Sequence, residues 1–149
     1  DINVTGSWIC ARALIAGMNE RRWGRIINLA SALGLVGMAN RTPYTASKGA
    51  VVQMTRALAM EVAQNGVTVN AICPGSVAGP RIDAVYANNA ALRGITPEEV
   101  RDEALGKTSL KRFVTADDIA HAIVFLASPR GANISGHALP VDADTQALV

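Results

Sequence analysis

The sequence predicts an α/β protein whose parallel sheet is covered by helices on both faces. Three observations predict it. The runs "RIINLAS" (25–31) and "VTVNAIC" (67–73) are short, apolar and rich in β-branched residues, as buried strands are. Longer segments with apolar residues three and four apart lie beside them and read as helices. The two kinds alternate along the chain, which argues for parallel pairing with helical crossovers.

Residues 2–18 form the first helix, with "WICARALIAGM" as its apolar pattern and Gly24 breaking it. Strand 25–31 follows, then an irregular loop, "ALGLVGMANRTP". A long helix runs from 44 to 64, its small residues Ala46, Gly49, Ala50 and Ala57 allowing close approach of another backbone. Asn65-Gly66 stops it. Strand 67–73 ends at Pro74-Gly75. Segment 76–113 reads as loop plus two short helices, one opened by Thr96-Pro97-Glu98-Glu99: a capping threonine, proline at the first helical position and glutamate at the third. "TADDIAHAIVFLA" (115–127) is another capped helix, and "HALPV" (137–141) a last strand.

A chain of 149 residues, half of them apolar and 17% charged, amounts to one globular domain. A net charge of +2 without charge blocks argues against nucleic acid as a partner. No apolar run approaches the ~18 residues of a membrane span, and no signal peptide opens the chain. Cys10 and Cys73 lack metal-ligand spacing and read as two reduced, buried cysteines of a cytoplasmic protein, with no metal site.

In an open parallel sheet, ligands sit beyond the carboxyl ends of the strands. That rule selects Ser31, at the end of one strand, and Pro74-Gly75, at the end of the next. Tyr44 and Lys48 stand one helical turn apart in "PYTASKGAV", so phenol and ammonium share a face. Asn3 lies in the preceding helix.

Ser31, then Tyr44 thirteen residues later, then Lys48, resembles the short-chain dehydrogenase/reductase family. "GRIINLASALG", "YTASKGAV", "VTVNAICPGSV", "NISGHALPVDAD" and "DINVTGSW" each resemble a segment of that family, in order and across the whole chain. The resemblance implies a Rossmann-type fold and an oxidoreductase moving a hydride between NAD or NADP and a small-molecule secondary alcohol or ketone. Family members begin with a glycine-rich nucleotide loop that is not found here, and this chain opens at "DINVTGSW" without a methionine. Residues 1–149 are therefore expected to be the C-terminal part of one such domain, with 76–113 as its substrate lid.

Free tyrosine ionises near pH ~10. A lysine ammonium on the same helical face favours the phenolate, which is the physical reason for the spacing. Tyr44 is expected to be the general acid and base, and Ser31 to hydrogen-bond the substrate oxygen. The resemblance further implies that Lys48 holds the nicotinamide ribose, that Tyr44 is also among the cofactor-binding residues, and that Asn3 positions a water in a proton relay to Lys48. It implies that Pro74 and Gly75 let the backbone approach the nicotinamide, and that the Val77 backbone pairs with its carboxamide. It also implies that the helices of residues 2–18 and 44–64 meet in a homodimer or homotetramer.

Two departures stand out. Gly79 occupies a position where the family often has a cofactor-contacting threonine, and "VDADTQ" replaces a glycine-rich ending. Arg81, Tyr86 and Arg93 fall in the lid; Arg81 is either an anion ligand or a surface residue. His121 and His137 are expected on a helix surface and at a strand end, and Trp8 and Trp23 in packing. Two other readings compete: a non-catalytic member of the fold, and a serine hydrolase using Ser31 or Ser47 with Lys48, which lacks a G-x-S-x-G elbow.

Overall fold

A computed structural model describes residues 2–145. A π-helical turn, Ile2–Gly6, runs into α1 (Ser7–Glu20). Strand β1 (Gly24–Leu29) is followed by a 3-10 turn, Ala32–Gly34, and by α2 (Thr42–Val62). Then come β2 (Val67–Pro74), α3 (Pro80–Arg93), α4 (Pro97–Gly106), α5 (Ala116–Ala127) and β3 (Ala138–Val141). The strands form one sheet in the order β1-β2-β3, parallel throughout, as the alternation predicts.

Register places Gly24 opposite Val67 and Leu29 opposite Ile72, then Ala71 opposite Ala138 and Pro74 opposite Val141. Strand β2 is buried from Val67 to Cys73 because both of its faces are covered. Its side chains alternate in destination. Val67 and Val69 join Ala11, Met18, Leu58 and Val62 of α1 and α2, while Ala71 and Cys73 meet Val51 and Val52 of α2. Ile72 points the other way, into Ile119 and Leu126 of α5. Two polar residues are also built into this core. Asn28 Nδ2 donates to Thr55 Oγ1 at 2.9 Å, and Thr55 Oγ1 donates to the Val51 carbonyl at 2.9 Å. Asn70 Nδ2 donates to the Ile134 carbonyl at 2.7 Å and its Oδ1 accepts from the His137 amide at 3.1 Å, which fixes the approach of β3.

The expected capping box of Thr96 with Glu99 forms, and the expected cap at Thr115 proves to be a second box, with Asp118. Gly66 ends the α2 segment with φ 71°, and a Cβ there would lie 2.4 Å from the Arg22 carbonyl oxygen, so only glycine fits.

Several boundaries move. The first helix ends at Glu20, reversed by Arg22 at φ 53°, and Gly24 instead opens β1. Strand β1 stops at Leu29, so Ser31 lies beyond it and caps the 3-10 turn. The long helix begins at Thr42 because Pro43, with its preset φ, suits the first turn. Segment 76–113 is more helical than expected: α3 alone is 14 residues long. Cys10 is exposed, a correction to its expected burial; it sits on the outer face of α1, whereas Cys73 is fully buried in β2. Trp8 and Trp23 are likewise exposed rather than packed in the core, Trp23 lying under the Arg25 guanidinium. Gln146, the end of "VDADTQ", lies outside the described residues, as does Asp1.

Asn70→Ala removes two partly buried hydrogen bonds at once and is expected to cost about 2–4 kcal/mol, since each stranded group costs ~1–3 kcal/mol. Thr115→Ala removes only a surface cap and is expected to cost ~1 kcal/mol. Urea denaturation of the two variants checks the order; equal losses contradict it.

Candidate active site

The carboxyl ends of β1 and β2 open onto two adjoining clefts. One, of about 440 Å³, is lined by Asn3, Leu29, Lys48, Val77 and Gly79 among others. The second, of about 350 Å³, runs along α3 and α4. Ser31, Tyr44, Pro74, Gly75, Arg81 and Ile82 line both. Ser31 and Tyr44 thus belong to the wall that the two clefts share.

Each side chain is there for a local reason. Ser31 follows β1 in extended backbone, and its Oγ accepts from the Leu33 amide at 3.2 Å, turning the chain into the 3-10 segment. That bond uses an acceptor position and leaves the hydroxyl proton for another partner. Gly34, three residues on, lies so close to α2 that a Cβ would come within 2.9 Å of the Lys48 carbonyl. The absence of a side chain lets the Ser31 loop rest on the helix that carries the tyrosine.

Lys48 Nζ donates to the Leu29 carbonyl at 2.9 Å and stands 5.9 Å from the centre of the Tyr44 ring. Its ammonium has three protons, so donors remain for a ligand in the cleft. Asn3 sits in the π-helical turn, whose wider winding is a frequent device at functional sites. Its Nδ2 donates to Ser47 Oγ at 3.0 Å, and Ser47 Oγ donates to the Tyr44 carbonyl at 2.7 Å. A chain of side-chain contacts therefore links the first helix to the tyrosine's own turn. Ser47 is occupied in that chain, and Lys48 bonds a backbone carbonyl rather than a serine, which leaves the hydrolase reading without its nucleophile-base pair.

All seven sequence-selected residues line one cleft: Asn3, Ser31, Tyr44, Lys48, Pro74, Gly75 and Val77. The Val77 backbone bridges to Val114, and the Ala78 amide donates to the Val114 carbonyl at 2.8 Å, so this stretch is anchored. His121 and His137 are exposed and line neither cleft. Sequence reasoning missed Arg41, Asn89, Glu103 and Lys107, which line the lid-side cleft. Arg41 carried a usable signal, lying one turn before Tyr44; the others reach the cleft only through packing of α3 on α4. Among the described residues no His/Cys/Asp/Glu group could hold a metal, and no helix is long and apolar enough to cross a membrane.

Burial pushes the Cys73 thiol up, and the Ser31 backbone pulls it partly back. The raised folded value means that the protonated thiol favours the fold below the unfolded pKa, and that this contribution is lost as pH rises through the folded one.

A family model described as enoyl-(acyl carrier protein) reductase matches residues 1–143. The 2-(S)-hydroxypropyl-CoM dehydrogenase 3 of Xanthobacter autotrophicus is 40% identical over 147 residues, covering 99% of this chain and 56% of that protein. The sorbitol-6-phosphate 2-dehydrogenase of Erwinia amylovora superposes with a TM-score of 0.92 at 31% identity, covering 97% of this chain and 57% of that one. An actinorhodin polyketide ketoreductase solved with NADPH superposes with a TM-score of 0.88 at 36% identity, over 95% and 55% of the two chains. The chain spans about half the length of the curated relatives it matches.

A thiol-disulfide reagent at pH ~8, just below the ordinary cysteine range, is expected to titrate exposed Cys10 promptly and Cys73 only after unfolding. Two fast thiols in the native protein would contradict the burial of Cys73.

Proposed function

The chain belongs to the short-chain dehydrogenase/reductase family, and on that premise we propose that it carries the catalytic half of an NAD- or NADP-dependent oxidoreductase acting on a secondary alcohol or ketone. The observation that carries the reading is the partition: Ser31 and Tyr44 line both clefts at once. Hydride exchange needs cofactor and substrate on opposite sides of one reacting carbon, with a proton donor between them. We propose that residues 1–149 are the C-terminal part of a single Rossmann-type domain, with 76–113 as the lid.

The 440 Å³ cleft fits the nicotinamide-ribose end of the cofactor: it is polar where Lys48 and Asn3 face it and open at Gly79, where a Cβ would meet nothing within 4 Å. Lys48 would hold the ribose hydroxyls with its remaining donors, Pro74 and Gly75 would admit the ring, and the Val77 backbone would pair with the carboxamide. When bound, the nicotinamide supplies or takes up the hydride.

The chain's own residues manage the proton. In reduction Tyr44 Oη gives its proton to the carbonyl oxygen as the C–O bond becomes single; in oxidation the phenolate takes the hydroxyl proton back. Ser31 Oγ donates to the same oxygen and stabilises the charge that develops there. The Lys48 ammonium lies beside the Tyr44 ring and would offset negative charge that gathers on Oη as the proton moves. Asn3 ties the first helix to this turn through Ser47 and would position a water that passes protons toward Lys48.

Exposed Trp8, Ile9 and Leu14 of α1 and Met60 of α2 supply apolar surface for pairing with a second copy. Free thiols at Cys10 and Cys73 fit a cytoplasmic setting.

In the full-length protein, Tyr44→Phe is expected to lower turnover by about 10²–10⁴-fold and Ser31→Ala by about 10²–10³-fold, with cofactor affinity preserved in both. Nicotinamide absorbance and calorimetry read the two quantities. Near-normal turnover in Tyr44→Phe would remove that residue from its role.

A further inference from the structure

The lid side of the 350 Å³ cleft carries chemistry that carbonyl reduction does not use. Four of its lining residues are cationic, Arg41, Arg81, Arg93 and Lys107, against one carboxylate, Glu103. That carboxylate is already committed. Arg93 grips it bidentately at 2.7 and 2.8 Å, clamping α3 to α4. Among the described residues no ion pair engages Arg41, Arg81 or Lys107. Three positive charges therefore line one small space against a single carboxylate, Glu103, which Arg93 already grips and Lys107 also attracts.

A second observation points to a ligand. Tyr86 is 6% exposed in the same wall, and its hydroxyl is sealed from solvent with no hydrogen-bond partner. Buried hydroxyls are nearly always paired, and an orphan inside a cleft marks a missing partner. The ring is held firmly: it packs with Ala90 and Val100 in the lid's own small core and against Phe113 at 5.9 Å. Burial pushes its pKa up; the Ser76 side chain, near Oη but outside hydrogen-bond geometry, and Arg101 pull the other way, and Asp83 adds to the rise. The neutral phenol is therefore favoured and Oη can donate. A buried donor in a wall that also carries three cationic side chains is a site for an anion.

We propose that this wall binds a fixed negative charge on the substrate, so that the protein acts on small ketones or alcohols bearing a carboxylate, sulfonate or phosphate. Tyr86 Oη donates to the anion, while Arg41, Arg81 and Lys107 supply the field. The carbonyl end rests on the oxidoreductase reading; the anion end rests on the lid alone. The cleft is near the small end of ligand pockets, which run from about 300 to 1,000 Å³. A compact substrate fits it, with its charge a few bonds from the carbonyl that Ser31 and Tyr44 address.

The test uses the full-length protein in its Tyr44→Phe form, saturated with nicotinamide cofactor, so that binding is read without turnover. The probes are acetoacetate, 2-oxopropylphosphonate and neutral acetoacetamide, titrated by calorimetry at low salt. Both anions are expected to bind about tenfold or more tightly than the amide, as charge-assisted hydrogen bonds do. Adding Tyr86→Phe or Arg81→Gln is expected to cut that anion-to-amide ratio about tenfold. Tyr86→Phe also separates a ligand donor from a structural tyrosine. Losing an unpaired buried hydroxyl leaves the melting temperature level or raises it, while anion preference falls. Equal affinity for acetoacetate and its amide overturns the proposal, as does an anion preference that survives Tyr86→Phe. Either anion outranking the other upholds the charge assignment and names the headgroup. If the anions bind as expected and the tyrosine-bearing protein turns over no ketone of the set, the subsite stands and the oxidoreductase reading falls.

Discussion

One hydrogen bond, from Lys48 Nζ to the Leu29 carbonyl at 2.9 Å, ties the helix bearing the tyrosine to the strand that delivers the serine. Much of the site depends on it. Leu29 is the last residue of β1, and Ser31 follows two residues later. Lys48 is one turn beyond Tyr44 on α2, so anchoring the ammonium at the strand end sets the phenol over the mouth of the sheet. Gly34 permits the loop between them to lie flat on α2, where any side chain would strike the Lys48 backbone. The same lysine therefore serves the architecture and, in the proposed mechanism, the charge balance of the tyrosine.

Behind this contact stands the sheet. Strand β2 can be buried on both faces because its polar residues are matched: Asn70 satisfies the backbone leading to β3. Parallel strands deliver all their carboxyl ends to one edge, and that edge is where both clefts open. Helices α3 and α4 form a small unit of their own, with an apolar cluster of Tyr86, Ala90 and Val100 and the Arg93–Glu103 clamp.

How far the sequence alone carries is clearest residue by residue. Ser31, Tyr44 and Lys48 were legible because strand ends, helix starts and one-turn spacing follow from backbone geometry. Thr96 and Thr115 were legible because capping boxes are local chemistry. Helix α3 was understated because only Tyr86 and Ala90 of its 14 residues are buried, too few to print an apolar stripe. Cys10, Trp8 and Trp23 were misjudged because residue type predicts burial only on average, and these side chains lie on outward faces. Lys107 and Asn89 could not be placed, since they enter the cleft through the packing of two helices whose angle no local pattern encodes.

The central claim is that Ser31 and Tyr44 address one substrate oxygen from the boundary between a cofactor cleft and a lid cleft. A crystal structure of the full-length protein with nicotinamide cofactor and a bound ketone measures this directly. The account predicts the nicotinamide beside Lys48 and Val77, the substrate under α3 and α4, and its carbonyl oxygen within hydrogen-bond distance of both Ser31 Oγ and Tyr44 Oη. A nicotinamide bound elsewhere, or a carbonyl oxygen out of reach of either hydroxyl, would contradict it.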